Sequence, residues 1–396
     1  MNTLTNLIPD LYAGLDTVSR ELVGYMPAVH RDASVDRAAV NQTVRYHVAP
    51  SGNGTDITPA MTIPEPTDQT IGNDSITISN ARAYEFGWVG ENQRGLNNNG
   101  PGYQSVQADQ FAQALRGLVN EIEDDLAAAA VAGASRAVGT PGTKVFNTDL
   151  DNVSQLRKIL VDNGAPLSDL QLVVDTTAGS NLRTLYSIND DRDFSSAPFG
   201  NQGVLVTPHG LAVRESGQAQ SHTGGTASGA TTDGASAGYA VGDTTITLAS
   251  AGTGTLLAGD VITFAGDSHQ YVIKTGDADV SNGGSIVLQE PGLKVAQAGG
   301  SAVAITRVND GTSAAVGDYD ARGVAFYRNA MVLAARAPAL PQEGDIASDR
   351  MMLQDPRSGM AFEVSMYPGY RKVRLEVAAA WGVKAAQPRH MSLLIG

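Results

Sequence analysis

From Ser105 to about Arg136, the apolar residues Phe111, Leu115, Leu118, Ile122, Leu126 and Ala129 recur at spacings of three and four. That period lines one stripe of a long helix. Asp109 suits its positive end, and Gly139 with Pro141 predicts its stop. The acidic run Glu121, Glu123, Asp124 and Asp125 reads as a solvated face of this helix. A weaker stripe of the same period, Leu11, Leu15, Val18 and Leu22, follows Pro9 and ends at Gly24 and Pro27. It predicts a short amphipathic helix in an arm that docks on something else.

Elsewhere the period is two. Thr43 to Val48 and Ser75 to Ser79 alternate as strands do. Between them Pro50, Pro59, Pro64 and Pro66, with Gly52, Gly54 and Gly72, exclude a helix. Ile57, Met61 and Ile63 have nothing local to bury them there, so either an extended hairpin lying on a neighbour or a surface loop is expected. Residues 145 to 215 read as mixed α/β: helices over Asn152 to Val161 and Ala178 to Ile188, a buried strand at Leu170 to Val174, short strands at Val204 to Val206 and Gly210 to Val213. Gly, Ser, Thr, Ala and Gln then dominate 216 to 238, which is linker chemistry. Five short strands follow at Thr244–Leu248, Asp260–Phe264, Gln270–Ile273, Ser285–Leu288 and Ala302–Ile305. Glycine-punctuated strands of this kind predict a small barrel or sandwich, inserted at an exposed loop tip. Near the end, Phe362, Val364 and Met366 alternate, Tyr367 to Tyr370 turns, and Val373, Leu375, Val377 and Ala379 alternate again. Arg371, Lys372 and Arg374 cluster at that turn as solubilising charge.

Composition narrows the function classes. The absence of cysteine removes disulfides, thiolate zinc sites and thiol catalysis. A net charge of −14 disfavours tight phosphate-wrapping nucleic-acid binding. Neither a membrane-spanning run nor a signal peptide is expected from the pattern. Gly234 to Gly238, around Ser236, fits a nucleophile-elbow pattern, but within a Gly/Ser/Thr stretch it arises by composition. The six histidines, His30, His47, His209, His222, His269 and His390, are scattered and show no fixed carboxylate neighbour. Asp277 to Gly283 lacks calcium-loop spacing and reads as a turn, with a weak cation site near Asp277 and Asp279 left open. Gly139 to Lys144 carries a lysine but no phosphate-loop pattern. No catalytic, cofactor-binding or metal residue is assigned, no cofactor is expected, and an enzyme is not expected.

Two motifs carry a resemblance. Gly323 to Pro338 follows the pattern apolar-Ala-Phe-aromatic-Arg-Asn-Ala-x-x-Leu-Ala-x-Arg-x-Pro. It resembles the element that returns to the axial domain in major capsid proteins of tailed bacteriophages. Leu375 to Pro388, with Trp381-Gly382-Val383-Lys384, is similar to the closing tail of podovirus-type coats that carry an inserted domain. Ala258 to Gly266 within the insert is more weakly similar. The resemblance implies an α+β fold of the tailed-phage/herpesvirus capsid type with an inserted small β-barrel domain. Its parts would be an N-terminal arm (1–34), peripheral-domain strands with an extended loop at about 47–78 (35–104), and a spine helix (105–137). An axial α/β domain would follow in two pieces (138–220 and 313–345) around the inserted β-barrel (221–312), before a closing β-hairpin and C-terminal tail (346–396).

Implied with it is self-assembly, through hexamers and pentamers, into an icosahedral shell enclosing a double-stranded DNA phage genome. The implied partners are other copies of the chain, a scaffolding protein, a portal protein and packaged DNA held without sequence specificity, with no membrane. The implied location is the virion, assembled in the host cytoplasm. Residues 1 to 143 contain no lysine, so the covalent cross-link that some relatives form through the extended loop should be absent. The short stretch before the hairpin implies a separate scaffolding protein and no cleaved helical segment. The alternative reading is a secreted or surface adhesion protein with a Gly/Thr-rich β module, against which the missing signal peptide counts; a serine hydrolase built on Ser236 lacks triad partners.

Overall fold

The computed structural model describes residues 23–47, 59, 61, 73–99, 103–189, 208–234, 237–298, 305–307, 318–354 and 360–396. Expectations for the helix at 9–24, most of the loop at 47–78, the strand at 204–206 and Ser236 fall largely or wholly outside these residues. The chain opens with α1 (Tyr25–Ala28), β1 (His30–Ala38), β2 (Thr43–His47), β3 (Asn73–Thr77), β4 (Asn80–Val89), α2 (Gly90–Asn99) and α3 (Tyr103–Gly133). It continues through β5 (Arg136–Gly139), α4 (Asp151–Asp162), β6 (Leu170–Val174), α5 (Thr176–Asn189), β7 (Ala212–Glu215) and β8 (Gln220–His222). Next come β9 (Thr245–Leu248), β10 (Val261–Phe264), β11 (Gln270–Thr275), β12 (Gly284–Leu288) and β13 (Ile305–Arg307). The last elements are β14 (Tyr319–Tyr327), β15 (Met331–Pro338), β16 (Asp349–Gln354), β17 (Ala361–Gly369), β18 (Lys372–Ala385) and β19 (Met391–Ile395).

Two sheets organise this α+β fold. The first runs β1-β15-β18-β17-β16, with β4 also on β18. Fourteen residues long, β18 pairs with β17 over residues 372–378, with β15 over 380–385 and with β4 over 372–381. Across this sheet lies α3, whose Phe111, Leu115, Leu118, Ile122 and Leu126 are all fully buried. They share one core with Trp88, Phe362, Val377, Ala379 and Trp381. The helix is thus the amphipathic element expected, but it ends at Gly133, and Arg136 belongs to a strand.

The second sheet runs β7-β6-β14-β19-β5 and continues into β11-β10-β13. Fully buried, β6 lies between β14 and β7. The apolar stripe of α4 (Val153, Leu156, Leu160) and Leu182 of α5 pack with Leu172, Val174 and Leu394 in a second core. A third core forms among β9 to β12, where alternate residues point inward: Ile246 and Leu248, Ile262 and Phe264, Tyr271 and Ile273, Ile286 and Leu288.

The Gly/Ser/Thr stretch after Ser216 is not the free linker its composition suggests. Ala227 and Ala230 are buried in the third core, Thr232 is fully buried, and Ser228 bridges Thr253. Small residues serve close packing here: a Cβ on Gly225 would overlap the Thr255 carbonyl oxygen. Nor do β9 to β13 hang from that stretch alone, because β11 hydrogen-bonds to β5 with Gln270 opposite Ala137 and Tyr271 opposite Arg136.

Three elements of the first sheet carry weak sequence patterns. In β4 most side chains are exposed or half-buried, β16 has one buried residue, and β1 runs parallel to β15 as an edge strand. The hairpin near the end is as the alternation predicts, although its turn is Tyr370-Arg371, since pairing extends to Gly369 opposite Lys372.

Candidate functional site

The Gly323–Pro338 and Leu375–Pro388 motifs are both crossings between the two sheets. The first leaves β14 in one sheet and enters β15 in the other through Arg328–Ala330; the second leaves β18 and returns to β19 through Pro388–His390. They run side by side: the amides of Ala386 and Gln387 both donate to the Ala330 carbonyl, at 2.7 and 3.1 Å. Ala330 is fully buried, so a larger side chain has no room at this point. In the first motif Arg328, Asn329 and Arg336 each have a partner. Arg328 pairs with Asp169 at 3.1 Å. Asn329 donates to the Tyr327 hydroxyl at 3.1 Å. Arg336, 4% exposed, pairs with Asp32 at 2.8 Å and thereby pins β1 along β15. Phe326 stacks on Tyr25 with ring planes 6° apart.

The acidic run on α3 is only partly the solvated face expected: Asp124 is exposed and Glu121 and Asp125 are half-buried, but Glu123 points inward. Glu123 is 1% exposed, and its carboxylate accepts the backbone N–H groups of Gly24 (2.6 Å), Tyr25 (2.7 Å) and Met26 (2.9 Å) and the Ser216 hydroxyl (2.8 Å). Burial pushes this carboxyl above the ordinary glutamate range, and the four donors pull it back. The same burial, together with Glu123 and Asp175, raises the neighbouring Tyr25 phenol. Asp125 accepts from Asn80 Nδ2 at 2.6 Å and from the Trp381 indole at 2.7 Å. Glu121 takes Arg82 and the Tyr84 hydroxyl of β4, and Asp124 takes Gln220 of β8. Four attachments, at residues 121, 123, 124 and 125, therefore gather segments from distant parts of the chain onto one stretch of helix. Sequence reading missed Glu123, yet a signal was present: Val119, Ala127 and Ala130 share its stripe and are buried.

The base of the β2–β3 hairpin is held by the second motif. Trp381 is 1% exposed, and its carbonyl accepts the Ser79 amide at 3.0 Å. Beside it the Thr77 carbonyl crosses Gly382 so closely that any Cβ would overlap it. Two residues on, Lys384 pairs with Asp74 and donates to the Ser75 carbonyl at 3.0 Å. Trp-Gly-x-Lys is in this fold a socket: an indole for the core, a gap for a crossing backbone and an ammonium for the hairpin's edge.

Contacts of the β9–β12 module centre on two buried aspartates. Asp260, fully buried, accepts His222 Nε2 at 2.9 Å and the amides of Gly225 and Leu257. The Tyr319 hydroxyl of β14 reaches the Gly259 carbonyl at 2.9 Å. Asp267 accepts the Tyr271 hydroxyl at 2.6 Å and the His269 amide at 2.9 Å, with the His269 ring nitrogen at 2.6 Å. Two histidines thus have the fixed carboxylate neighbours that sequence spacing did not show. His222 and Asp260 are 38 positions apart, and His269 reaches back over a turn. Burial pushes Asp267 up, but the hydrogen bonds from Tyr271 and His269 outweigh it and leave the carboxyl below its ordinary value. A carboxyl depressed in the folded state stabilises above the unfolded pKa, and that gain is lost as pH falls through the folded value. The melting temperature of the wild type is accordingly expected to fall more steeply than that of Asp267→Asn as pH drops below about 4. Parallel pH profiles in scanning calorimetry would contradict this account.

At the acidic turn the carboxylates bond to the chain itself. Asp277 accepts the Asp279 amide, and Asp279 caps a short turn through the Ser281 amide and hydroxyl. Among the described residues no group of three His, Cys, Asp or Glu is placed to hold a metal ion. Of the basic cluster at the β17–β18 turn, Arg374 is committed to Glu85 and Glu376, while Arg371 lies over the Tyr370 ring. No helix among the described residues is long and apolar enough to cross a membrane. What the arrangement provides is mechanical: two inter-sheet crossings and an acidic helix that fasten β1, β4 and the β2–β3 hairpin to one core.

No protein-family model matches the chain, and no curated protein matches it. Among solved structures it is similar to that of Mycobacterium phage Che8, with 12% identity and a TM-score of 0.40 over 91% of this chain and 88% of the other. It is also similar to the capsid structure of the cyanophage P-SCSP1u, with 10% identity and a TM-score of 0.43 over 91% and 85%. The mature capsid of bacteriophage PhiM1 gives 10% identity and a TM-score of 0.43 over 94% and 86%.

Proposed function

We propose that the chain is the major capsid protein of a tailed phage, self-assembling into the icosahedral shell that encloses a double-stranded DNA genome. One observation carries the reading. The two stretches whose sequences resemble capsid elements are adjacent crossings, and between them they root the β1 strand and the β2–β3 hairpin. The resemblance assigns the start of β1 to the arm (1–34), and its extended loop (about 47–78) begins where β2 ends and takes in β3. A protein that must reach its neighbours with long projections needs those projections fixed at the base. Rigid roots lower the ordering cost of each contact. Many modest contacts repeated by symmetry then suffice for a stable shell. A scaffolding protein, a portal ring and DNA held without sequence specificity complete the proposed set of partners.

Expression in a bacterial cytoplasm, followed by sedimentation and negative-stain microscopy, tests this. Shells, tubes, sheets or capsomer rings are expected, alone or with the scaffolding protein. A chain that stays monomeric with that partner present would overturn the proposal and return attention to an adhesion module.

A further inference from the structure

The two flanks of the β17–β18 turn carry opposite chemistry. On one flank a cleft of about 650 Å³ lies between the turn, the end of β4 and the start of α2. Trp88 and Val89 give it an apolar wall, and Val89 is 38% exposed. Arg94, Arg371 and Lys372 line it too; all three are exposed, and among the described residues none of them forms an ion pair. Glu91 is the one carboxylate beside them, so the cleft is a basic spot on a chain of net charge −14. The Gly90 amide donates to the Arg371 carbonyl at 3.4 Å and ties the turn to α2.

On the other flank, between β15 and β16, residues 341–346 are exposed throughout and are both acidic and apolar. Glu343 projects there without an ion pair, and Ile346 is 82% exposed. The segment is nevertheless fixed. The Gly344 amide donates to the Pro341 carbonyl at 3.1 Å, and the Ser348 amide to the Met366 carbonyl at 2.8 Å. Asp345 accepts Arg350 at 2.6 Å and the Tyr367 hydroxyl at 2.8 Å. An isoleucine displayed on a fixed turn has little conformational freedom left to lose, so docking it costs little ordering. Three strand spacings, about 14 Å, separate β16 from β4 at this end, with β17 and β18 between them. A turn so held does not reach the cleft of its own copy.

We propose that residues 341–346 of one copy dock in the Trp88–Lys372 cleft of a second copy. Ile346 would rest against Trp88 and Val89, with Glu343 facing the three cations. A chain of net charge −14 repels its copies over most of its surface, and this cleft is where an acidic turn is accepted. The contact rests on the capsid reading, in which copies meet repeatedly. Because the two surfaces differ, it is heterologous: each copy gives a turn and receives one, and rings close where the rotation allows.

The full chain tests this, since it has no cysteine of its own. One preparation carries Ile346→Cys and another Gln93→Cys, on the cleft wall. Mixed and treated with a short bismaleimide, they should link into pairs far more than either does alone, and less so at high salt. Sedimentation velocity reads the same contact without a cross-link. Ile346→Lys and the double variant Arg94→Glu/Lys372→Glu should each weaken self-association roughly tenfold or more. Mixing those two variants should return a one-to-one complex, because one keeps its cleft and the other its turn. Particles at wild-type yield from both variants, with no selective cross-link, would overturn this contact and spare the capsid reading. Chains that give neither particles nor the cross-link would overturn both.

Discussion

Replacing Glu123 by alanine is expected to destabilise the chain by about 3 kcal/mol or more, because a buried carboxylate leaves behind the donors it served. Three of those donors are consecutive backbone amides at Gly24, Tyr25 and Met26. Asp124, exposed and about half a turn from the stripe of Ile122 and Leu126, is the control: its alanine variant should stay within about 0.5 kcal/mol of wild type. Urea denaturation measures both, and amide exchange at residues 24–26 should accelerate only in the Glu123 variant. Equal stabilities for the two variants would remove Glu123 from its anchoring role. The pH dependence has a definite sign. Since folding raises this carboxyl above its ordinary value, the native chain takes up a proton in the window between the two, and stability falls as pH rises through it. Glu123→Gln has no proton to take up and should flatten that slope.

The second large effect is expected at Gly382, on assembly more than on stability. A methyl group there meets the Thr77 carbonyl, which is backbone and cannot swing away. Forcing it in should cost about 1–3 kcal/mol, the usual range for overpacking. The strain falls on the hairpin root, however, and not on the core under α3. Gly382→Ala is therefore expected to remain folded by circular dichroism, to be cleaved faster between residues 47 and 73, and to lose most of its particle yield. Particles at wild-type yield would show that the hairpin root is dispensable for the proposed assembly.

Much of this was legible in the chain. Wherever one period dominates, the elements fall within a few residues of expectation: α3 from its stripe of three and four, β6 from its unbroken apolar run, β17 and β18 from alternation. Illegible were the elements whose partners supply what their own residues lack. In β1 the residues His30 to Ala38 show no alternation, and the strand exists because Arg336 and the β15 backbone receive it. Composition misled at 216–238, because small residues serve linkers and close packing alike, and only the position of the Thr255 carbonyl distinguishes them. Charge misled at Glu123 for a related reason. A carboxylate reads as surface until three amides, 97 to 99 positions away, are found pointing at it.

The placement of β19 sets an order of events. This strand, residues 391–395, lies inside the second sheet between β14 and β5, antiparallel to one and parallel to the other. A chain growing from its N-terminus makes β5 long before the strand it needs beside it, so the central sheet cannot close until residues 391–395 have been made. The core among β9 to β12 is local in sequence and has no such wait. An unfinished chain thus carries a folded module on an open sheet, and lacks the strand on which β14 and β5 both pair. Synthesis of β19 acts as a checkpoint: only a chain that carries residues 391–395 acquires the closed sheet.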